Sequence, residues 1–525
     1  MANRAALLTG VVLTASVMIA SCSAQSSTES DTLRVAILDN PTCLDPAQSG
    51  AFAQVAVARQ VVDSLTYQVP DTGEIVPWLA ESWEVDDTAT EYTFKLKSGV
   101  TFSDNTPLNA EAVKLSLDAD SKVASSAADV FTTYVGSEVI DDSTVKVTFS
   151  APNVPFLQAT SLPQLGIIAP AVVGGTAQER CGAASLIGSG PFVLDSFEPN
   201  SRLTFSQRAD YNWPSSVSTR TGPSGVKNLE IQIVPEAANR TGLLQQGAVD
   251  VITQVQPTDE SALTDSDFSV IARSGPGIVP ILYPNRDRPL LKDPAVQFAV
   301  QRGIDRDELQ STVLTDSYVK ATSVLASSTA GWVDLSSELQ YDPEGAKRTM
   351  DAAGWVVGPD GVRAKDGQRL TLDLHLVTDW IATGRDDIEL VRQQLARIGV
   401  ELTVAPLPIA DWKTQFDSGQ WDFFAGNLTR PDADVLRSFF SVDAQNLVNA
   451  EPGTELQDLL IRQAAEVDPA ARNATVARIQ ELLLTEGYAY PLHEQPQVIA
   501  TSKSITGDLL DANSRPQFYD AQIQS

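Results

Sequence analysis

The sequence predicts an α/β protein of two or three domains, and three observations lead to this prediction. The chain has 525 residues, more than a single hydrophobic core usually organises. Several short segments alternate apolar and polar residues, which is the period of a half-buried β-strand. In the second half an apolar helical stripe stops at Gly399 and leads directly into the alternating segment 400–404, so a helix feeds a strand.

The first half contains strands and one small mixed unit. The folded part begins with an alternating strand at 33–37. Two further strands at 92–97 and 145–149 lie on either side of a helix that Asn109 is suited to cap. We therefore expect a small α+β domain over residues 67–187.

Later elements follow from the same two patterns. Asp342 and Pro343 have the types preferred at the N-cap and first turn of a helix, and this helix should end at Gly354. Further strands are expected at 192–194, 203–205 and 229–234.

Composition excludes some classes of function. Hydrophobic residues make up 43% and charged residues 20% of the chain, which is ordinary for a globular protein. Asp and Glu number 67 against 37 Lys and Arg, for a net charge of −30. No cluster of basic residues is present to neutralise phosphates, so we expect no binding to nucleic acid.

The N-terminus has the pattern of an export signal. Arg4 precedes an apolar stretch over 5–19, and small residues follow it. The segment Ile19-Ala20-Ser21-Cys22 resembles the bacterial lipobox, in which the cysteine is diacylated. We expect a signal peptide over 1–21, lipidation at Cys22, and a flexible tether over 22–31. The protein would then work outside the cytoplasm, anchored to the cell membrane only by its N-terminal lipid. An ordinary cleaved signal with an incidental cysteine is the alternative.

Two cysteines remain after Cys22. In an exported chain, Cys43 and Cys181 suit one disulfide. Two unrelated buried thiols are the alternative.

The residues do not form a recognisable catalytic or metal-binding set. The two histidines, His375 and His493, are far apart, and with Cys43 and Cys181 they do not have the spacing of a zinc site. Nucleotide-binding loops and a nucleophile elbow are absent from the sequence. We expect a protein that is not an enzyme, with no catalytic residues, no metal and no cofactor.

Several segments in fixed order resemble family 5 solute-binding proteins of ABC importers, the oligopeptide, dipeptide and nickel type. Pro77 to Trp83 followed by Tyr92 to Asp104 resembles the most recognisable stretch of this family. The other matching segments are 188–192, 208–213, 247–250, 293–296, 303–306, 341–346, 353–355, 395–400 and 419–423.

The resemblance implies a periplasmic-binding-protein-like type II fold, with two lobes around a ligand cleft and an additional small N-terminal α+β domain. Lobe I would comprise 32–66, 188–274 and 490–525, lobe II 275–489, and the inserted domain 67–187.

The resemblance also implies a monomer that delivers a small-molecule or peptide ligand to an ABC permease and its ATPase. Peptide is the leading ligand class. The alternatives are a carrier of nickel or another metal chelate, a secreted hydrolase on a similar scaffold, and a surface lipoprotein that senses ligand without transport.

The loop after segment 419–423 carries the first group of expected ligand-binding residues. In peptide-binding relatives an acid of this loop pairs with the amino terminus of the ligand. Here Arg430 stands near that position, with Asp432 and Asp434 shortly after it, and Asn427 stands where an aromatic is common. An arginine favours a carboxylate or phosphate-like group. Alternatively, Arg430 pairs with one of the two acids on a surface turn.

Four further residues are expected at or near the cleft from the resemblance. Tyr283 and Asn285 match a strand that enters the cleft, although a buried strand end is the alternative for both. Phe52 matches a cleft-lining loop, with a core aromatic as the alternative. His493 belongs to the segment that returns to the first lobe near the hinge.

Overall fold

The computed structural model describes residues 31–48, 50–123, 128–264, 267–377 and 385–524. The expected signal peptide, the lipidation site Cys22 and the tether as far as residue 30 lie outside the described residues.

The helices and strands are numbered here in chain order. The strands are β1 (Thr32–Ile37), β2 (Thr66–Gln68), β3 (Ile75–Pro77), β4 (Ala80–Val85), β5 (Glu91–Leu96), β6 (Tyr134–Asp141), β7 (Thr144–Phe149), β8 (Phe192–Glu198), β9 (Arg202–Gln207), β10 (Asn228–Ile233), β11 (Val251–Thr253), β12 (Phe268–Ser274), β13 (Gly277–Pro284), β14 (Val356–Val357), β15 (Arg363–Lys365), β16 (Gln368–Arg369), β17 (Thr371–Val377), β18 (Glu401–Leu407), β19 (Phe423–Thr429), β20 (Tyr490–Pro491), β21 (Pro496–Ser502), β22 (Ile505–Thr506) and β23 (Gln522–Ile523). The helices are α1 (Phe52–Val61), α2 (Ala110–Asp120), α3 (Phe156–Ala159), α4 (Pro170–Val173), α5 (Ala177–Arg180), α6 (Ala237–Gln245), α7 (Pro257–Thr264), α8 (Pro289–Lys292), α9 (Pro294–Gly303), α10 (Arg306–Thr312), α11 (Pro343–Ala352), α12 (Asp386–Ala396), α13 (Trp412–Ser418), α14 (Val435–Phe440), α15 (Glu455–Ala465) and α16 (Pro469–Thr485).

The first large sheet has seven strands in the order β12-β21-β11-β1-β10-β9-β8. Strand β1 lies near its centre and runs parallel to both neighbours, β10 and β11. Alternate residues of β1 point to opposite faces: Val35 packs with Val61 of α1, while Ala36 packs with Leu244 of α6. Both faces are therefore covered, which is the α/β arrangement that the sequence predicts.

The second large sheet has five strands in the order β18-β17-β19-β13-β20. Strand β17 runs parallel to β18 and β19, whereas β13 is antiparallel to β19. Helices α9, α11 and α12 cover one face, and α14, α15 and α16 cover the other. As the sequence predicts, α12 stops just before Gly399, whose φ of +86° is comfortable only for glycine, and β18 follows at once.

A third, antiparallel sheet of four strands has the order β4-β5-β7-β6. Tyr92, Phe94 and Leu96 of β5 are buried together, as their alternation predicts. They pack with Phe156 of α3, which is fully buried. The predicted cap of α2 is confirmed, because Asn109 Oδ1 accepts a hydrogen bond of 3.1 Å from the amide of Ala112.

The chain crosses between the two large sheets at two neighbouring places. One crossing joins β12 to β13 at residues 275–276, and the other joins β20 to β21 at 492–495. The amide of Gly275 donates to the carbonyl of Gln495 at 2.9 Å. The buried carboxylate of Glu494 accepts from Ser274 and Ser327, so it ties both crossings together.

Hydrogen bonds also join the first and second large parts of the chain at places other than these crossings. The amide of Val154, in the segment after β7, donates to the carbonyl of Ala464 in α15 at 3.0 Å. Glu260 of α7 accepts hydrogen bonds from Thr315 and Ser317 at 2.8 and 2.6 Å. These hydrogen bonds hold the second part of the molecule against the first part and the inserted unit.

Candidate functional site

A cavity of about 270 Å³ lies where the parts of the molecule meet. One wall comes from the end of β19 and the residue after it, a second from the start of α1, a third from the short turn before residue 166, and a fourth from the loop after β22. Its lining residues are Gly50, Val55, Leu162, Gln164, Leu428, Thr429, Arg430, Asn513 and Arg515. The cavity therefore lies between β19 of the second large sheet, helix α1, which packs on the first large sheet, and the inserted unit.

The turn 511–515 presents two polar side chains to this cavity. Asp511 Oδ1 accepts from the amides of Asn513 and Arg515, both at 2.9 Å. Ser514 has a φ of +56° and its hydroxyl donates to the carbonyl of Ser274 at the end of β12. These bonds use the backbone and the carboxylate of Asp511, so the side chains of Asn513 and Arg515 remain available to a ligand.

Arg515 has a charge without an anionic hydrogen-bond partner. Its guanidinium carbon lies 5.1 Å from the centre of the Phe52 ring, a cation–π distance. Within the described residues, no oxygen accepts a hydrogen bond from this guanidinium. Burial lowers the pKa of Arg515, and the charge of Asp511 only partly offsets this. Arg515 is thus a positive charge at the cavity whose hydrogen-bond donors the described residues do not use.

Arg430 is the second cation of the cavity. It follows β19, and its amide donates to the carbonyl of Pro276 at 2.9 Å. Its side chain is 8% exposed and donates to Ser438 Oγ at 2.9 Å. Arg430 is therefore a buried cavity residue and not part of an exposed turn.

The two acids after Arg430 are engaged by other arginines. Asp432 accepts two hydrogen bonds from Arg472, at 2.6 and 2.9 Å, and Asp434 accepts two from Arg437, at 2.7 and 2.8 Å. Burial raises the pKa of Asp432, but the charge and hydrogen bonds of Arg472 outweigh this and hold that pKa below its ordinary value. Neither acid is among the cavity-lining residues.

The remaining residues expected at the cleft lie in different places. Phe52, the first residue of α1, packs its ring against the guanidinium of Arg515. Asn427 is a half-buried residue of β19 outside the cavity lining.

Tyr283, Asn285 and His493 are packed within the protein and do not line the cavity. Tyr283 lies against Phe439, with ring centres 5.7 Å apart. The side-chain amide of Asn285 donates a hydrogen bond of 3.1 Å to the carbonyl of Trp421. This bond holds the segment after β13 against the loop before β19. His493 is fully buried, with Nε2 3.2 Å from a carboxylate oxygen of Asp387.

Of the cavity-lining residues, sequence reasoning named only Arg430, and those it missed include Gln164, Asn513 and Arg515. The last two stand in the polar segment Asn513-Ser514-Arg515-Pro516, which reads as an ordinary turn. Their role depends on the approach of Phe52, far away in sequence, and no local pattern shows this.

A disulfide joins Cys43 to Cys181, with the sulfur atoms 2.04 Å apart. Next to it, Arg180 lies between Asp45 at 2.6 Å and Asp120 at 3.2 Å, and all three are buried. The bond and these ion pairs fix the segment that leads to Gly50 and Phe52, and so to one wall of the cavity.

Two further properties of the described residues bear on function. Within them no helix has the length and apolarity required to span a membrane. The same residues hold no group of three or more His, Cys, Asp or Glu side chains placed to bind a metal ion.

The two α/β lobes, the small additional sheet and the cleft between them form a periplasmic-binding-protein-like type II fold. The chain belongs to the bacterial extracellular solute-binding proteins of family 5, since the model of the middle region of that family matches residues 74–446.

Curated and solved relatives agree with this assignment. The chain is 25% identical to the glutathione-binding protein GsiB of Shigella dysenteriae serotype 1 over 511 residues, 93% of this chain and 94% of the relative. It is similar in structure to NikA from Brucella suis, solved in complex with Fe(III)-EDTA, with a TM-score of 0.81, 23% identity and coverage of 94% and 100% of the two chains. DppA from Helicobacter pylori, in complex with the peptide STSA, gives a TM-score of 0.76, 18% identity and coverage of 94% and 98%. These homologues are solute-binding proteins and not enzymes.

Proposed function

We propose that this protein is a receptor, anchored outside the cytoplasmic membrane through a lipid on Cys22, that captures a small ligand between its lobes and delivers it to an ABC permease and its ATPase. Peptide is the leading ligand class. The proposal depends mainly on the cavity of about 270 Å³, whose walls come from β19 of the second large sheet, from α1 and the loop 511–515, and from the inserted unit. Closure around a ligand changes the outer shape of the protein, which a permease can recognise.

The size of the cavity favours short ligands. Pockets for small molecules usually measure about 300–1,000 Å³, and this cavity lies just below that range. A di- or tripeptide fits such a space better than a long peptide, which would need the lobes to stand further apart.

A metal chelate is the second candidate ligand, supported by the two arginines of the lining. Chelates such as Fe(III)-EDTA are anionic, and Arg430 and Arg515 offer positive charge at the cavity. A hydrolase has less support, because the lining residues include no carboxylate, histidine, serine or cysteine among those described.

Mass spectrometry of material released by denaturing the protein purified from its native membrane tests the ligand class. We expect short peptides, and their affinities can then be measured by calorimetry on ligand-free protein. A metal chelate without any peptide would refute the leading ligand class but leave the receptor function intact.

A Cys22→Ser variant tests the anchor. We expect wild-type protein in the membrane fraction, with a diacylated N-terminal peptide after proteolysis, and the variant without that lipid. Wild-type protein that lacks acyl chains would contradict the lipid anchor.

An uptake assay in cells tests delivery. We expect uptake of the identified ligand to be lost when this protein or the permease is deleted.

A further inference from the structure

We propose that Arg515 is the anion-binding residue of the cavity, and that the ligand is a small molecule that carries a carboxylate or phosphate group to it. This inference rests on the proposed function, and it adds the charge of the ligand and the residue that selects it.

The charges around the cavity favour an anionic ligand. The lining holds two guanidinium groups, those of Arg430 and Arg515, and no carboxylate among the described residues. The nearby acids Asp432 and Asp434 already have bidentate partners. A ligand amine would meet no acceptor charge in this lining, whereas a ligand anion would meet two cations.

The surroundings of Arg515 leave its donors for a ligand. A guanidinium has five N–H donors in one plane, and Phe52 covers its face at 5.1 Å without using any of them. The neighbouring acid Asp511 does not take them either. One of its oxygens accepts from two backbone amides, and the other lies 3.5 Å from Arg59. A half-buried cation with free donors is costly, and a bidentate anion removes that cost.

Two neutral side chains extend the site. Asn513 is 8% exposed, and its side-chain amide makes no hydrogen bond to the described residues. On another wall of the cavity, the amide oxygen of Gln164 is buried and has no hydrogen-bond partner among the described residues. Asn513 can add a donor beside Arg515, and Gln164 can accept from an N–H of the ligand. A short peptide with a free C-terminal carboxylate has both groups.

The test compares wild-type protein with Arg515→Gln and Arg515→Lys. The probes are trialanine, trialanine amide, reduced glutathione, citrate and inorganic phosphate at millimolar concentration, read by thermal shift and then by calorimetry. The matched control is Arg392→Gln, which removes an exposed arginine outside the cavity.

We expect wild-type protein to bind at least one of the anions, and trialanine more tightly than its amide. Arg515→Gln should weaken that binding by roughly 30- to 1,000-fold, Arg515→Lys should recover part of it, and the control should match wild type. Preference for phosphate over the carboxylates would assign the anion as phosphate. Circular dichroism and the unliganded Tm show that Arg515→Gln is folded.

Three results would overturn the inference. They are equal binding of trialanine and its amide by wild-type protein, unchanged anion affinity in Arg515→Gln, and stabilisation of wild-type protein by none of the anions. In the first two, peptide still binds and the proposed receptor function stands. Failure of the receptor function itself would show as native protein that releases no ligand of any charge.

Discussion

Replacing Asp432 by asparagine separates a structural role of the loop after β19 from a role in ligand binding. The side chains of Asp432 and Arg472 are only 8% and 15% exposed, and two hydrogen bonds join them. The substitution keeps the shape of the side chain but removes its charge, and it leaves Arg472 buried without its counter-ion.

The expected loss of folding stability in Asp432→Asn is large. Removing one partner of a buried ion pair costs about 3–5 kcal/mol, and we expect about 3 kcal/mol because the asparagine oxygen still accepts one hydrogen bond. For a folding unit of 150–250 residues, about 2–4 °C of Tm is lost per kcal/mol. We therefore expect the Tm of the second lobe to fall by roughly 6–12 °C.

The assay is calorimetric unfolding of ligand-free wild-type, Asp432→Asn and Asp307→Asn proteins at pH 7 and at pH 3. Asp307 pairs with Lys320 on the surface, with 80% and 47% of the side chains exposed, so its loss should leave the Tm within error. The folded-state pKa of Asp432 is below its ordinary value. The stability that the Asp432 carboxylate contributes is therefore present above about pH 4, and this stability is lost as the pH falls through the folded-state pKa. The difference between wild type and Asp432→Asn should shrink at pH 3.

An Asp432→Asn protein as stable as wild type at pH 7 would refute this reasoning. If its peptide affinity fell sharply at the same time, Asp432 would instead be a ligand-binding acid.

Three further predictions concern the fold that supports the cavity. Burial raises the pKa of Asp63 to about 6. The folded protein therefore binds a proton on this carboxyl more tightly than the unfolded chain does. The free energy of unfolding should fall by about 3 kcal/mol as the pH rises from about 4 to about 6. Urea unfolding across this range should show a flatter profile for Asp63→Asn, and equal slopes would contradict the assignment. The disulfide of Cys43 and Cys181 closes a sequence separation of 138 residues, so the double serine variant should lose about 2–5 kcal/mol; reduction should destabilise wild type to the same level and leave the variant unaffected. Phe156→Ala should cost about 3–5 kcal/mol in urea unfolding, because Phe156 is fully buried among aromatic rings; a cost near zero would mean that the third sheet does not depend on this cluster.

Local patterns were sufficient to predict the fold class. The alternation of Tyr92, Phe94 and Leu96 and the helix stop at Gly399 depend on neighbours in sequence, and both predictions are confirmed. The order of strands was not predictable in this way, because β21 enters the first sheet between β11 and β12 from the far end of the chain. Such pairings depend on long-range packing, which periodicity does not contain.

The site was predictable only where a motif reaches it. Arg430 could be placed at the cavity because the strand before it resembles a family segment. Arg515 stands in a turn whose composition carries no functional signal, and its meaning depends on contact with Phe52. Tyr283 and Asn285 illustrate the opposite difficulty, since a strand end that enters a cleft and one that is packed in a core have the same alternation.

The position of β21 has a consequence for biosynthesis. Strand β1 lies at the centre of the sheet and comes first among the described strands, but β12 and the free edge of β11 gain their partner β21 only after Pro496–Ser502 has been made. Until then β11 remains an unprotected edge and β12 has no partner in the sheet. A chain still emerging from the ribosome therefore cannot complete its first large sheet, and the edge of β11 stays exposed until β21 arrives.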